Sequence, residues 1–194
     1  MASIIVGLGN PGEDYASTRH NTGRIILELM GKKWGIEQAD FKENSKIKAL
    51  TAAGTIGKEK ITLIEPNNFM NNSGKSVTTA KNLIVIHDDL DLPVGAFKIS
   101  WNRGSGGHRG VESIIKAVKT EEFIRFRVGI SPLTPGGKLK KPHGDAVEKH
   151  IMGEFKPAEM TSLKKIAAIA AEAIETIVAD KKSGLARAMT KFNK

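Results

Sequence analysis

Short apolar runs recur along the chain at Ser3–Leu8, rich in β-branched residues, and at Leu83–Ile86, and a further strand is expected at Ile124–Ile130. Runs of this length and composition read as strands buried on both faces, and such strands need layers of other structure above and below them. The segments between them supply those layers. Ile25, Ile26, Leu29 and Met30 fall at helical spacing within Gly23–Trp34, and Val111, Ile114, Ile115 and Val118 share a second helical face. Met160, Leu163, Ile166, Ala170, Ala173, Ile174 and Ile177 outline a long amphipathic helix whose first turn suits Pro157. Strands are also expected at Lys46–Ala53 and Lys60–Glu65, joined through a turn containing Gly54 and Gly57, and at Ala96–Trp101. Short helices are expected over Ser73–Lys81 and after Gly184. Alternation of this kind predicts an α/β fold with a mixed, mainly parallel sheet flanked by helices. The 194 residues suffice for one domain, taken as 1–194. Pro132–Gly144, with Lys138, Lys140 and Lys141, reads as a mobile basic loop rather than a linker, because too little chain follows it for a second core.

Charge and cysteine usage narrow the function classes. Lys and Arg number 30 against 21 Asp and Glu, a net charge of +9 that suits a polyanionic partner without requiring one. Aromatic residues are 5% of the chain, too few for base stacking as the main binding mode. The absence of cysteine excludes a disulfide framework, a thiol nucleophile and a thiolate zinc site. No segment approaches the roughly 18 uninterrupted apolar residues of a membrane span. The first residues lack the charged region of a signal peptide. A cytoplasmic location is therefore expected.

Five segments carry residues suited to chemistry. Gly7-Leu8-Gly9-Asn10-Pro11-Gly12 spells the dinucleotide fingerprint, but Pro11 and the polar stretch to Asn21 delay the helix that a pyrophosphate would need. His20 stands in a polar loop, either as an exposed loop histidine or, given a partner, as a general base. Asn67, Asn68, Asn71 and Asn72 surround Phe69 and Met70; turn chemistry explains some of them, and an amide could also hold a water or an oxyanion. His87-Asp88-Asp89-Leu90-Asp91 ends the most apolar strand. Its acids could orient a histidine, ligate magnesium or form a charged turn before Pro93. Arg103-Gly104-Ser105-Gly106-Gly107-His108-Arg109-Gly110 is a basic glycine-rich loop running into a helix, suited to a phosphate or another anion.

Taken in order, IIVGLGNPGEDYASTRHNTG, NNFMNNSGKSV, IVIHDDLDLPVG, GSGGHRGVESII and FRVGI resemble the bacterial-type peptidyl-tRNA hydrolase family, and the likeness extends from Ile4 to the C-terminal GLARAMTKFN. The resemblance implies a single α/β domain with a twisted mixed sheet, working as a monomer without metal or cofactor. It implies cleavage of the ester between a peptide and the 3′-terminal ribose of tRNA, at the acceptor stem and CCA end, which recycles tRNA from prematurely released chains. On the matching positions, His20 would activate water and Asp88 would hold His20. Asn10 and Asn71 would position substrate or water or stabilise the oxyanion. Tyr15, Phe69 and Met70 would line the pocket, His108 would contact substrate, and Arg127 would contact tRNA phosphate.

The chain also departs from the family pattern. Arg109 stands where the family motif has asparagine, and a phosphate or peptide-backbone contact is expected of it. The segment between Gly74 and Asp88 is short, so the helix there should be truncated. The basic partner of the Arg127 position falls at Ser100, leaving Lys98 or Arg103 to substitute. Pro132–Gly144 is longer than usual. The competing readings are an RNA-binding module of the same fold that has lost catalysis, a magnesium phosphohydrolase built on Asp88, Asp89 and Asp91, and a nicotinamide-dependent enzyme.

Overall fold

A computed structural model describes residues 2–193. Seven strands form one sheet: β1 Ser3–Gly7, β2 Lys42–Asn44, β3 Ala49–Ile56, β4 Glu59–Pro66, β5 Leu83–Pro93, β6 Phe97–Trp101 and β7 Ile124–Ser131. Their order is β2-β3-β4-β1-β5-β7-β6. The centre, β4-β1-β5-β7, is parallel, and the edges β2-β3-β4 and β6-β7 are antiparallel. This is the expected mixed sheet with a parallel core. The helices are α1 Thr22–Lys33, α2 Arg109–Val118, α3 Ala146–Ile151, α4 Pro157–Ala179 and α5 Gly184–Phe192.

The apolar core lies in two layers because strand side chains alternate between faces. On one face Ile5, Ile84, Ile86 and Phe126 pack against Ile26 and Leu27 of α1 and Ile166 and Ile174 of α4. On the other, Val6, Val85 and Ile64 pack against Val111 and Ile114 of α2. The long helix begins with Pro157 in its first turn, as expected. The start of α1 is pressed onto the sheet: a Cβ on Gly23 would collide with the Leu8 nitrogen and the Ile86 carbonyl, and one on Gly7 with Gly23. This close approach seats the His20 turn directly over the carboxyl ends of β1 and β5, where parallel sheets form their pockets.

Several sequence expectations are corrected. Gly54 lies inside β3, and the turn into β4 is Gly57-Lys58 alone. Residues 73–81 form no α-helix. A 3-10 turn, Met70–Ser76, is followed by extended chain, because Val77 is drawn into the core and the β-branched run Val77-Thr78-Thr79 disfavours continuation. The segment 132–144 folds back on itself through a Leu133–Leu139 bridge, with Lys140 N–H donating to the Pro132 carbonyl at 2.9 Å. Strand β2 and helix α3, each of six residues or fewer, were not anticipated.

Candidate active site

Strand β5 continues well past Ile86, so His87, Asp88 and Asp89 are strand residues rather than a charged turn. Asp88 projects on the same face as Ile84 and Ile86, toward the turn that precedes α1. His20 Nδ1 lies 3.1 Å from both Asp88 carboxylate oxygens, and His108 Nε2 lies 2.9 Å from Oδ1. All three side chains are at least nine-tenths buried. Next to them, His87 Nδ1 is 2.7 Å from the Asp88 carbonyl, and the His87 ring meets His108 edge-on at 4.8 Å.

The tautomers follow from these partners. His108 is the N-cap of α2, where its Nδ1 accepts the Gly110 and Val111 N–H groups at 3.2 and 3.3 Å. An accepting Nδ1 carries no hydrogen, so Nε2–H donates to Asp88. His20 likewise donates through Nδ1, which leaves its Nε2 as a free base. Burial would raise the Asp88 carboxyl, but the charges and donated hydrogen bonds of His20 and His108 hold it well below the usual carboxylate range. Burial lowers the His20 imidazole and Arg109 opposes its protonation, yet the Asp88 charge and hydrogen bond prevail and raise it above 6.5. His87 is wholly buried and held well below 6.5, chiefly by desolvation, so it is neutral.

The loop that carries His20 is pinned on both sides. Asn21 Oδ1 accepts the Asn10 N–H at 2.8 Å and Asn21 Nδ2 donates to the Asn10 carbonyl at 2.9 Å, clamping the two loops together. Asn10 Oδ1 accepts the Met70 N–H at 2.8 Å. The Asn10 amide oxygen is thus committed to the backbone, and its Nδ2 donors are left for the cleft. Arg19 pairs with Glu159 at 2.8 Å and stacks on Phe155 at 5.4 Å. Arg125, fully buried, donates to the Arg103 and Gly104 carbonyls and so anchors the glycine-rich loop that ends in His108. Asn21 and Arg125 have structural tasks here that sequence reasoning missed. A donor at each end of a tight loop is a sequence signal for Asn21; nothing in the sequence distinguishes Arg125 from a surface arginine.

The cleft above this centre has a volume of about 610 Å³. Asn10, Tyr15, His20, Phe69, Met70, Asn71, Asp88, His108 and Arg109 all line it, so the structure brings these nine expected residues together. Tyr15 and Phe69 meet edge-to-face at 6.3 Å, and the Phe69 ring is exposed. Arg127, Arg103 and Lys98 do not line the cleft. Arg127 Nε donates to Asp89 at 2.5 Å in a largely buried pair. Lys98 lies opposite Arg127 on β6, and both Lys98 and Arg103 are exposed.

Other chemistries fit less well. The acids proposed for magnesium are each committed to a cation or to histidines: Asp88 to His20 and His108, Asp89 to Arg127, and Asp91 to Lys141 at 2.5 Å. His20, Asp88 and His108 lie within 4.8 Å of one another, close enough for metal ligation. However, the α2 amides force a hydrogen onto His108 Nε2, where a metal needs a lone pair. No helix begins inside Gly7–Gly12; a 3-10 turn, Glu13–Tyr15, follows, which removes the dinucleotide reading. Among the described residues no helix is long and apolar enough to cross a membrane.

Comparison with known proteins points to one family. The sequence profile of the family described as Peptidyl-tRNA hydrolase matches residues 4–194. A peptidyl-tRNA hydrolase of Alkaliphilus oremlandii is 36% identical, covering 98% of each chain. One from Synechococcus elongatus is 35% identical over 98% of this chain and 92% of its own. The crystal structure of peptidyl-tRNA hydrolase from Acinetobacter baumannii superposes with a TM-score of 0.85 at 28% identity, over 99% of this chain and 94% of that one. With sequence profile, relatives and fold in agreement over nearly its whole length, the chain belongs to the peptidyl-tRNA hydrolase family.

Proposed function

We propose that this protein hydrolyses the ester between a peptide and the 3′-terminal ribose of tRNA, with His20 as general base. The observation that carries this reading is the buried His20–Asp88 pair, which leaves His20 Nε2 as an uncommitted base on a side chain lining the cleft, while the other unpaired imidazole there, His87, is held well below 6.5. Water attacks the ester carbonyl carbon and gives a proton to His20 Nε2. The imidazolium that forms is stabilised by Asp88, whose charge lies 3.1 Å away. Asn10 Nδ2, free because its amide oxygen is held by Met70, and Asn71 stabilise the tetrahedral oxyanion. Collapse breaks the bond to the ribose 3′ oxygen, which takes the proton back from His20. The products are a peptide carboxylate and free tRNA. Tyr15, Phe69 and Met70 supply apolar surface for the peptidyl group. Lys98 and Arg103 supply phosphate contacts, and Arg127 joins them only by loosening from Asp89.

The test is release of N-acetyl-aminoacyl groups from tRNA by the purified protein. Turnover is expected with wild type, unaffected by chelator, and tRNA binding should survive in His20→Ala while turnover is lost. Binding without turnover by wild type would instead support an RNA-binding module. Turnover abolished by chelator would return a metal to the mechanism.

A further inference from the structure

We propose that a second cavity beside the cleft is a subsite for an acidic side chain of the peptidyl group, held by Arg109. This rests on the ester-hydrolase reading and extends it to substrate preference. The cavity, about 330 Å³, is lined by Asn71, Arg109, Glu112, Ser113 and Lys116. Asn71 and Arg109 also line the main cleft and form the wall shared between the two. The other polar groups that α2 contributes are committed. Lys116 pairs with Glu112 at 2.7 Å, and Ser113 Oγ accepts the Gly74 N–H at 2.9 Å. Arg109 alone brings an unspent charge: among the described residues it has no hydrogen bond or ion pair. The two walls do not slide, because Gly74 is packed so tightly on Ser113 that no Cβ fits between them.

The side of the ester to which this cavity belongs follows from the sheet order. Asp88 marks the reacting centre on β5. The exposed cation Lys98 lies on β6, beyond β7 on one side of β5. The second cavity lies between α2 and the turn that follows β4, on the other side. With the tRNA backbone on the β6–β7 side, the group reaching Arg109 is the acyl chain. A guanidinium at a half-open site selects a carboxylate, which it grips through two parallel N–H donors. Asp or Glu at the residue preceding the esterified one would supply it.

The test compares two N-acetyl-dipeptidyl-tRNAs that differ only in Glu against Gln at that residue. Wild type should favour the Glu substrate by roughly fivefold in kcat/KM, the scale of one exposed ion pair, expressed mainly in KM. Arg109→Gln should bring the ratio to about one, and Arg109→Lys should restore part of it. No preference in wild type, or a preference that survives Arg109→Gln, overturns the proposal. An equal loss on both substrates with a flatter salt dependence also overturns it, by assigning Arg109 to tRNA phosphate. Failure to cleave either substrate would instead strike the ester-hydrolase reading, and this inference would fall with it.

Discussion

Asp88 and Glu65 are buried acids on the two strands that flank β1, and their surroundings drive them in opposite directions. Asp88 receives N–H donors from two histidines and is held well below the ordinary carboxylate range despite its burial. Glu65 has no partner for Oε1. Burial, with Glu28 adding repulsion and Arg24 only partly offsetting both, pushes it up to about 7. Arg24 is near, but it spends a guanidinium N–H on the Pro66 carbonyl at 2.7 Å. Burial alone therefore does not decide which acid is charged; the supply of donors does. One carboxylate is kept anionic beside two histidines, and the other is pushed up to about 7.

The largest effect should come from removing the base that Asp88 serves. His20→Ala is expected to lower kcat by about 10²–10⁴-fold, the usual worth of a positioned general base. Residual turnover above a tenth of wild type would show that Asp88 is kept charged for some other purpose. Next in size is Asp88→Asn. It preserves shape but removes the charge that, together with its hydrogen bond, outweighs burial at His20, and a fall of at least about 10²-fold is expected. The pH profile gives a sharper reading. With His20 as the proposed general base, its neutral form is the active one, so kcat/KM is expected to rise with pH through a midpoint above 6.5 in wild type. In Asp88→Asn that midpoint should move to lower pH, and an unmoved midpoint would sever His20 from Asp88.

The contrast also marks what a sequence can disclose. The centre of the parallel core was legible because β1 and the first four residues of β5 are continuous apolar runs, and α4 because its apolar stripe keeps helical spacing. His20 and Asp88 were legible as chemistry-bearing types at strand and loop ends. The pairing of His108 with Asp88 was not, because it depends on α2 turning its N-terminus over β5, a contact 20 residues apart in sequence. The helix expected at 73–81 failed for a related reason: the core claims Val77, and tertiary burial overrode local pattern. Glu65 shares a strand face with the buried Ile61 and Leu63, but an acid at the end of an apolar stretch reads as the point where the core stops; only α1, which brings Arg24 and Glu28 beside it, shows that it is covered.

The pH dependence of stability tests the Glu65 side of the comparison. Its value rises from an ordinary 4.5 to about 7 on folding, so the folded state holds the proton more tightly. Below 4.5 the group is protonated folded or unfolded and costs nothing. Between 4.5 and 7 stability falls, by about 3 kcal/mol in all, and above 7 the full cost is present. Glu65→Gln should match wild type at pH 4 and exceed it by up to that amount at pH 8 in urea unfolding. A variant less stable than wild type at pH 8 would mean that ionised Glu65 and Arg24 support each other after all.

The smallest effect moves Asp88 one step toward the condition of Glu65. His108 has two separable bonds, one to Asp88 through Nε2 and one to the α2 amides through Nδ1. His108→Ala loses both, and the lost cap alone is worth about 1 kcal/mol. His108→Asn is itself a good N-cap but is too short to stand in for the imidazole donor. It should recover the capping share of stability while Asp88 keeps only His20 as a partner. With one donor fewer, the Asp88 carboxyl rises toward the ordinary range, and activity should begin to fall at a less acidic pH than in wild type. If His108→Asn matched wild type in both stability and acid response, His20 alone would suffice to keep Asp88 charged. The contrast with Glu65 would then rest on a single hydrogen-bonded partner.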